Sequence, residues 1–445
     1  MHIARKHFSL TFPATFLLIA AIVLGTLAAL PGRAAAAVPK AAAAAASIRP
    51  IVFVHGFFGS GSQIQTQAKR FASNGYPASY IEANDYDSLF FNNSREQVYA
   101  ALDARIARLK AATGATQVDL VGHSLGTSLS QEYLNSSATR AANVAHYANL
   151  DGATATSLPG GVPTVAVWGQ NRGTSTITGA TNVSLPNQAH VELTGSVETF
   201  TAMYRFFTGS DPATTNIVAQ SGNIQLGGRV LNFPSNTTPA NATLNVYPVN
   251  ATTGARTGPA IATVRLAGDG SFGPITASGT ARYEFAVTKG DVTHHHYFEP
   301  FRRTDLVVRV LTNDPGTGAD VLLERGAAHT TLLAYRNKEW WTDQGDTLTI
   351  NGTNVTTSPR SRGAIGVFAF DAGSDRRSNP GTAPGLLSVL PFISGTDVYV
   401  PSSPASTVVV ESRQRGGLQT HRFGFPNFPS DRNVVTVNFD DFPQP

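Results

Sequence analysis

The residues Val118-Asp119-Leu120-Val121-Gly122-His123-Ser124-Leu125-Gly126-Thr127 decide the fold. A short, mostly apolar run closes on Gly122, Ser124 follows two residues later, and an amphipathic stretch opens behind it. The implied order is strand, sharp turn, helix. A serine on such a turn is held in a strained backbone conformation that lifts its hydroxyl clear of the sheet edge and aims neighbouring N–H groups at the same space. Glycines two positions to either side remove side chains that would crowd it. Five residues are a weak signal by themselves, so the surrounding chain has to carry the reading.

Working outward toward the N-terminus, residues 51–54 form a continuous β-branched and aromatic run, the pattern of a strand buried on both faces of a parallel sheet. His55-Gly56-Phe57-Phe58-Gly59-Ser60 follows at once. A glycine-rich turn leaving such a strand presents backbone N–H groups at the sheet's carboxyl edge, where ligands bind. No Lys-Ser or Lys-Thr follows, so the turn does not match a phosphate loop. A helix is expected over 63–73, stopped by Asn74-Gly75, then a strand over 78–83. The loop 85–93 carries Leu89, Phe90 and Phe91, which serve either as a small lid over a substrate pocket or as ordinary core packing. Ser94 and Gln97 have capping-box spacing, Val98, Leu102, Ile106 and Leu109 share one helical face, and Gly114 ends that helix.

Beyond Ser124 the helix is expected to run to about Ser136, followed by strands at 144–150, 164–168 and 181–185 and a last helix over 197–207 capped by Ser196. Strands alternating with helices over 49–208 predict an α/β domain with a mostly parallel sheet. The character changes at Gly209. Residues 209–445 read as β-rich, in one or two subdomains, with short runs at 242–247, 306–311, 321–323, 347–350 and 434–437 and no long helix.

The 445 residues suit two or three domains, and only 14% are charged. A net charge of +4 without a basic patch interleaved with aromatics argues against a nucleic-acid partner. Residues 1–37 have the basic start, apolar run and alanine-rich end of a secretory signal, the alternative being a membrane anchor; residues 38–48 are an alanine-rich leader. Either way the remainder is expected outside the cell. There is no cysteine, which excludes disulfides and thiol chemistry and suits a bacterial or archaeal source.

A serine hydroxyl becomes a nucleophile when a histidine takes its proton, and that histidine works best with a carboxylate behind it. On a strand–elbow–helix scaffold the chain order is serine, acid, histidine. Between Ser124 and His190 only Glu132 and Asp151 are acidic. Glu132 lies two turns into the outgoing helix, whereas Asp151 stands just past a strand, so Asp151 is selected. His190 occupies a loop between the last strand and the last helix; His123 would have to fold back on its own turn, and His146 lies within a strand. The backbone N–H groups of Phe57 and Leu125 are the natural oxyanion donors, with Phe57 and Phe58 walling an apolar acyl site. His294-His295-His296 lacks the spacing and carboxylates of a metal site and is read as structural. Trp340-Trp341 and Phe423, Phe425, Phe428, Phe439 and Phe442 are read mainly as β-core, with contact to lipid or carbohydrate as the alternative. No cofactor and no metal are expected, and the chain is expected to be a monomer.

In the segments 52–60, 70–72, 74–78, 118–127, 144–152, 179–183 and 190–191, and more weakly in 212–218 and 351–355, the chain resembles a type of secreted bacterial and archaeal lipase. In that family an α/β-hydrolase domain precedes a β-rich domain implicated in binding lipid. The resemblance implies hydrolysis of triacylglycerols or related carboxylic esters through Ser124, Asp151 and His190, and it supports the early position of the acid. The segment 85–94 is short where some relatives insert a large helical lid. A polyester depolymerase or general carboxylesterase is the neighbouring reading, and a surface-binding protein with a vestigial hydrolase domain is the reading from another class.

Overall fold

Alternate residues of the first strand divide the core between the two faces of a sheet. In β1 (Ile51–Val54) all four residues are buried; Ile51 and Phe53 join one apolar cluster, and Val52 and Val54 join the other. The structure, a computed structural model, describes residues 48–357, 363–415 and 419–440. The predicted signal at 1–37, the leader up to residue 47 and Phe442 lie outside those residues. Among the described residues no helix is long and apolar enough to cross a membrane.

Five further strands complete the sheet: β2 (Ile81–Asn84), β3 (Val118–His123), β4 (Val144–Leu150), β5 (Thr164–Trp168) and β6 (Thr181–Ser184). All pair parallel, in the order β2-β1-β3-β4-β5-β6. Parallel pairing requires crossovers, and the helices that supply them cover both faces. Helices α2 (Arg95–Thr113) and α3 (Leu125–Ser136) bury Val98, Leu102, Ile106, Leu109, Leu129 and Tyr133 on one face. Helices α1 (Gln65–Ser73) and α5 (Val197–Thr208) bury Phe71, Phe200, Met203 and Phe207 on the other, a short α4 (Ala138–Ala142) lying between α3 and β4.

The expected end signals are present. Ser94 accepts from the Gln97 N–H while the Gln97 side chain accepts from the Ser94 N–H, and Gly114 and Gly209 close α2 and α5 in the left-handed conformation. Two expected strands differ. Ala78–Tyr80 is a 3-10 turn and pairing begins only at Ile81, while the Val321 region is a 3-10 turn over Gly318–Leu322. In both, three or four residues of mixed polarity are too few to distinguish a strand from a turn.

Among the described residues from Asn223 onward, the chain is strands and short 3-10 turns in three sheets of three, eight and four strands. The eight-stranded sheet joins early and late segments, because strand Val292–Phe298 pairs parallel with Asn433–Asn438, which in turn pairs with Leu332–Trp340. Trp340, Phe423, Phe425 and Phe439 fill a core there and Phe428 stacks on His295, as the core reading of these aromatics expects. The histidine run is buried: His295 bonds Glu284 and Asn433, and His294 bonds Thr312.

The β-rich region is welded to the parallel sheet through buried charge. Asp85, directly after β2, has a fully buried side chain that pairs with Arg309 (2.9 Å) and Arg229 (3.0 Å) and accepts the Gly61 N–H at 2.8 Å. Burial opposes ionisation of Asp85, but Arg309 and Arg229 outweigh it and hold the carboxyl well below the usual carboxylate range. Asp85→Ala leaves both guanidiniums facing a site without counter-charge, and a loss of about 3–5 kcal/mol in urea unfolding is expected. The sign with pH follows from the depressed folded value. The Asp85 contribution is complete above the unfolded value of about 4 and is lost as pH falls below it toward the folded value. The gap between wild type and variant should therefore narrow in acid.

Candidate active site

Three of the predicted residues stand beyond the carboxyl ends of different strands of the parallel sheet, Ser124 and Asp151 directly and His190 six residues on. Ser124 follows β3 with φ 53° and ψ −121°, a conformation that costs a non-glycine residue roughly 1–3 kcal/mol and persists only when the surroundings enforce it. They do: the Ser124 N–H donates to Leu150 O, and its own carbonyl accepts from the Thr127 N–H and Thr127 Oγ1. A Cβ on Gly126 would strike the Val54 carbonyl, and one on Gly152 the Thr127 hydroxyl, so strand, elbow and acid loop pack at backbone distance.

Asp151 follows β4 and is buried, also with positive φ (48°). His190 Nδ1 lies 2.6 Å from Asp151 Oδ2, and the Gly169 N–H donates to Oδ1 at 2.7 Å. An ionised carboxylate only accepts, so the His190 proton sits on Nδ1 and Nε2 carries the lone pair. Burial pushes the Asp151 carboxyl up, but the His190 and Gly169 N–H groups outweigh it and leave it below the usual carboxylate range. The His190 side chain is 31% exposed, and Ser124 is part-exposed beside it. Among the hydrogen bonds of the described residues, His190 bonds Asp151 and none joins it to Ser124 Oγ.

Opposite the elbow, His55 shapes the glycine-rich turn. It is fully buried and held below its ordinary pKa by desolvation, stacks on Tyr86 at 4.1 Å, donates through Nδ1 to Gly56 O and accepts the Tyr86 N–H at Nε2. Among the described residues, no protein group accepts the Phe57 or Leu125 N–H. Both are backbone donors of the turns that flank Ser124, and a Cβ placed on Gly56 would come within 2.8 Å of Ser124 Cβ.

Two family models cover this architecture: that for lipase (class 2) matches residues 48–189, and that for the lipase C-terminal domain matches 222–315. Residues 48–189 belong to the class 2 lipase family, and their fold is that of an α/β-hydrolase. A third model, for a C-terminal domain, matches residues 318–443. Comparison with curated proteins gives no match. Among solved structures the chain is similar to the product of the lin2722 gene from Listeria innocua, at 13% identity over 38% of this chain and 96% of that one, with TM-score 0.27. It is also similar to a CIB-like hydrolase from Thermoplasma acidophilum (16%, 36% and 82%, TM-score 0.26) and to phospholipase PlaB from Legionella pneumophila (9%, 88% and 94%, TM-score 0.23).

The remaining predicted pocket residues separate. Phe58 is buried, stacks on Phe57 at 4.3 Å and packs edge-on against Phe233 of the β-rich region; Leu89 joins the same cluster. Phe90 turns the other way, onto Tyr86 and under the Arg95 guanidinium, and Phe91 is 83% exposed.

Other residues complete the site, and those from the β-rich region carry no signal local to the catalytic motifs. His123, held neutral by burial and pushed down to about 3, contacts the His190 carbonyl through Nε2 at 3.0 Å. Asn236, from the β-rich region, donates through Nδ2 to the carbonyls of Gly59 and Tyr86, both at 2.9 Å, fixing the turn that carries Phe57. Phe392, also from that region, lies over the His190 ring at 5.9 Å. The β-rich region therefore reaches both sides of the candidate site.

Proposed function

We propose that this lipase-family hydrolase is a secreted serine carboxylic-ester hydrolase acting on triacylglycerols or related acyl esters through an acyl-enzyme on Ser124. The observation that carries the reading is the Asp151–His190 hydrogen bond, at one sheet edge with a strained Ser124. In the proposed cycle His190 Nε2 takes the Ser124 proton as Oγ attacks the ester carbonyl. The developing oxyanion is met by the Phe57 and Leu125 N–H groups, each worth on the order of 3 kcal/mol of barrier. His190 then protonates the leaving alcohol, and a water deprotonated by the same nitrogen releases the acid. Asp151 stays ionised throughout and stabilises the imidazolium.

The apolar cluster of Phe57, Phe58 and Leu89 beside this edge favours an acyl chain over a charged group. Turn Gly385–Ser388 exposes Leu386 (63%) and Val389 follows at 65%, while Leu387 and Leu390 anchor to the same cluster; such a rim suits a substrate presented at an interface. The test compares emulsified triacylglycerols, soluble short-chain esters and polyester film as substrates of the mature protein, with alkylphosphonate labelling mapped by mass spectrometry. Turnover of acyl esters with a single adduct on Ser124 is expected. Preference for the film would move the assignment to a polyester depolymerase, and absence of both turnover and adduct would remove it.

A further inference from the structure

The strand Leu332–Trp340 pairs regularly with Ala364–Phe370 until Tyr335, opposite Gly366, and regains register only at Trp340, opposite Ala364. Four residues, Arg336 to Glu339, thus stand against one, Ile365. A bulge of this kind re-aims side chains that a regular strand would send alternately to its two faces. Three consecutive ones reach the hydrolase domain. Asn337 Nδ2 donates to Ser62 O at 3.0 Å, Lys338 Nζ pairs with Glu192 at 2.8 Å, and the Glu339 carboxylate accepts the N–H groups of Val191 (2.6 Å) and Glu192 (3.1 Å).

Those two amides follow directly on His190 and open the 3-10 turn Glu192–Thr194. They are the donors that such a turn leaves without partners of its own, and a buried anion is well placed to satisfy them. The opposite side of the bulge is held too, since the Ile365 N–H donates to the carbonyl of Phe392, the residue whose ring covers His190.

We propose that Glu339, a residue of the β-rich region, is a positioning residue for the reaction. By binding the Val191 and Glu192 amides it fixes the loop that carries His190 and brings a second carboxylate to that loop. This inference rests on the reading of His190 as the catalytic base. It makes the β-rich region a structural part of the active site as well as a neighbour of it.

Glu339 is fully buried, and desolvation pushes its carboxyl up to about 7, against the pull of the Val191 N–H, His190 and Arg336. The other charged groups around the bulge and loop are Glu192, Lys338, Arg415 and Asp346. Only the ionised carboxylate offers both oxygens as acceptors, so the loop is held most firmly above neutrality.

The test uses the full chain with Glu339→Gln, whose amide has one acceptor in place of two and no charge. On a soluble ester, kcat is expected to fall roughly 10- to 100-fold with KM little changed, as for a base displaced by about an ångström. Loss of the negative charge should also move the acid limb of the kcat/KM profile to lower pH. A merely structural contact would lower stability without moving that limb. A folded variant with wild-type kcat and pH profile would overturn the proposal. The unmodified protein supplies a second readout that needs neither folding of the variant nor activity. With selective 15N-valine labelling, the Val191 amide is expected to be protected from exchange by its bond to Glu339, whereas a freely exchanging signal would also overturn the proposal. If Ser124→Ala kept full turnover, the catalytic reading would fail while this amide protection stood, so the two failures are separable.

Discussion

Ser124→Gly is expected to lower kcat/KM by at least about 10⁴-fold while raising the stability of the protein by about 1 kcal/mol. The two effects have one cause. At φ 53° and ψ −121° the serine Cβ is strained against its own backbone, and the elbow holds that conformation through Leu150 O, Thr127 and the close approach of Gly126 to Val54. Glycine occupies this region without penalty, so deleting the side chain releases the strain and deletes the nucleophile together. Ser124→Ala separates them: it should lose as much activity and gain no stability, since alanine retains the Cβ. Denaturant midpoints and soluble-ester turnover of both variants check this. Full turnover by either would rule out an acyl-enzyme on Ser124, and equal midpoints would show that the elbow stores no strain.

The parts of the fold that were legible in the sequence are those fixed by neighbours along the chain. The unbroken apolar run at 51–54 and the nearly continuous one at 164–168 coincide with buried strands because a sheet covered on both faces imposes no alternation. Ser94, Gln97, Gly114 and Gly209 mark helix ends because capping is a local matter. The chain order of Ser124, Asp151 and His190, each after a strand, placed them at one edge. What stayed hidden depends on contacts between distant segments. Val292–Phe298 finds its parallel neighbour at Asn433–Asn438, and no property of either strand names the other. Asn236 and Glu339 reach the turns at Gly59 and Val191 across separations of 177 and 148 residues. A faint signal existed for Glu339: Arg336, Lys338 and Glu339 interrupt an otherwise apolar strand just before Trp340. Charges in a run whose ends are buried mark a place where the strand turns to meet something else.

Asp151→Asn is expected to lower kcat about 10⁴-fold with little change in KM, although it alters one atom and fits the same backbone. Asparagine tolerates the positive φ at this position as well as aspartate does, so the loop is not expected to move. The difficulty lies in donors and acceptors. The site presents two fixed donors, the Gly169 N–H at 2.7 Å and His190 Nδ1 at 2.6 Å, to two carboxylate oxygens. An amide brings one acceptor and one donor. If its oxygen stays with Gly169, its NH₂ faces His190 Nδ1, and the ring escapes the clash by moving its proton to Nε2. The imidazole then points an N–H at the Ser124 hydroxyl where a lone pair is needed, and the base is lost. If the amide turns over, its NH₂ meets the Gly169 N–H instead and a buried donor goes unpaired, at about 1–3 kcal/mol of stability. No orientation satisfies both, so the variant must lose activity, stability or some of each. Turnover, denaturant midpoint and the 15N shifts of the His190 ring distinguish the outcomes: a large loss of kcat with the Nε2–H tautomer is expected, whereas wild-type turnover with an unchanged midpoint would show that Asp151 does not serve His190.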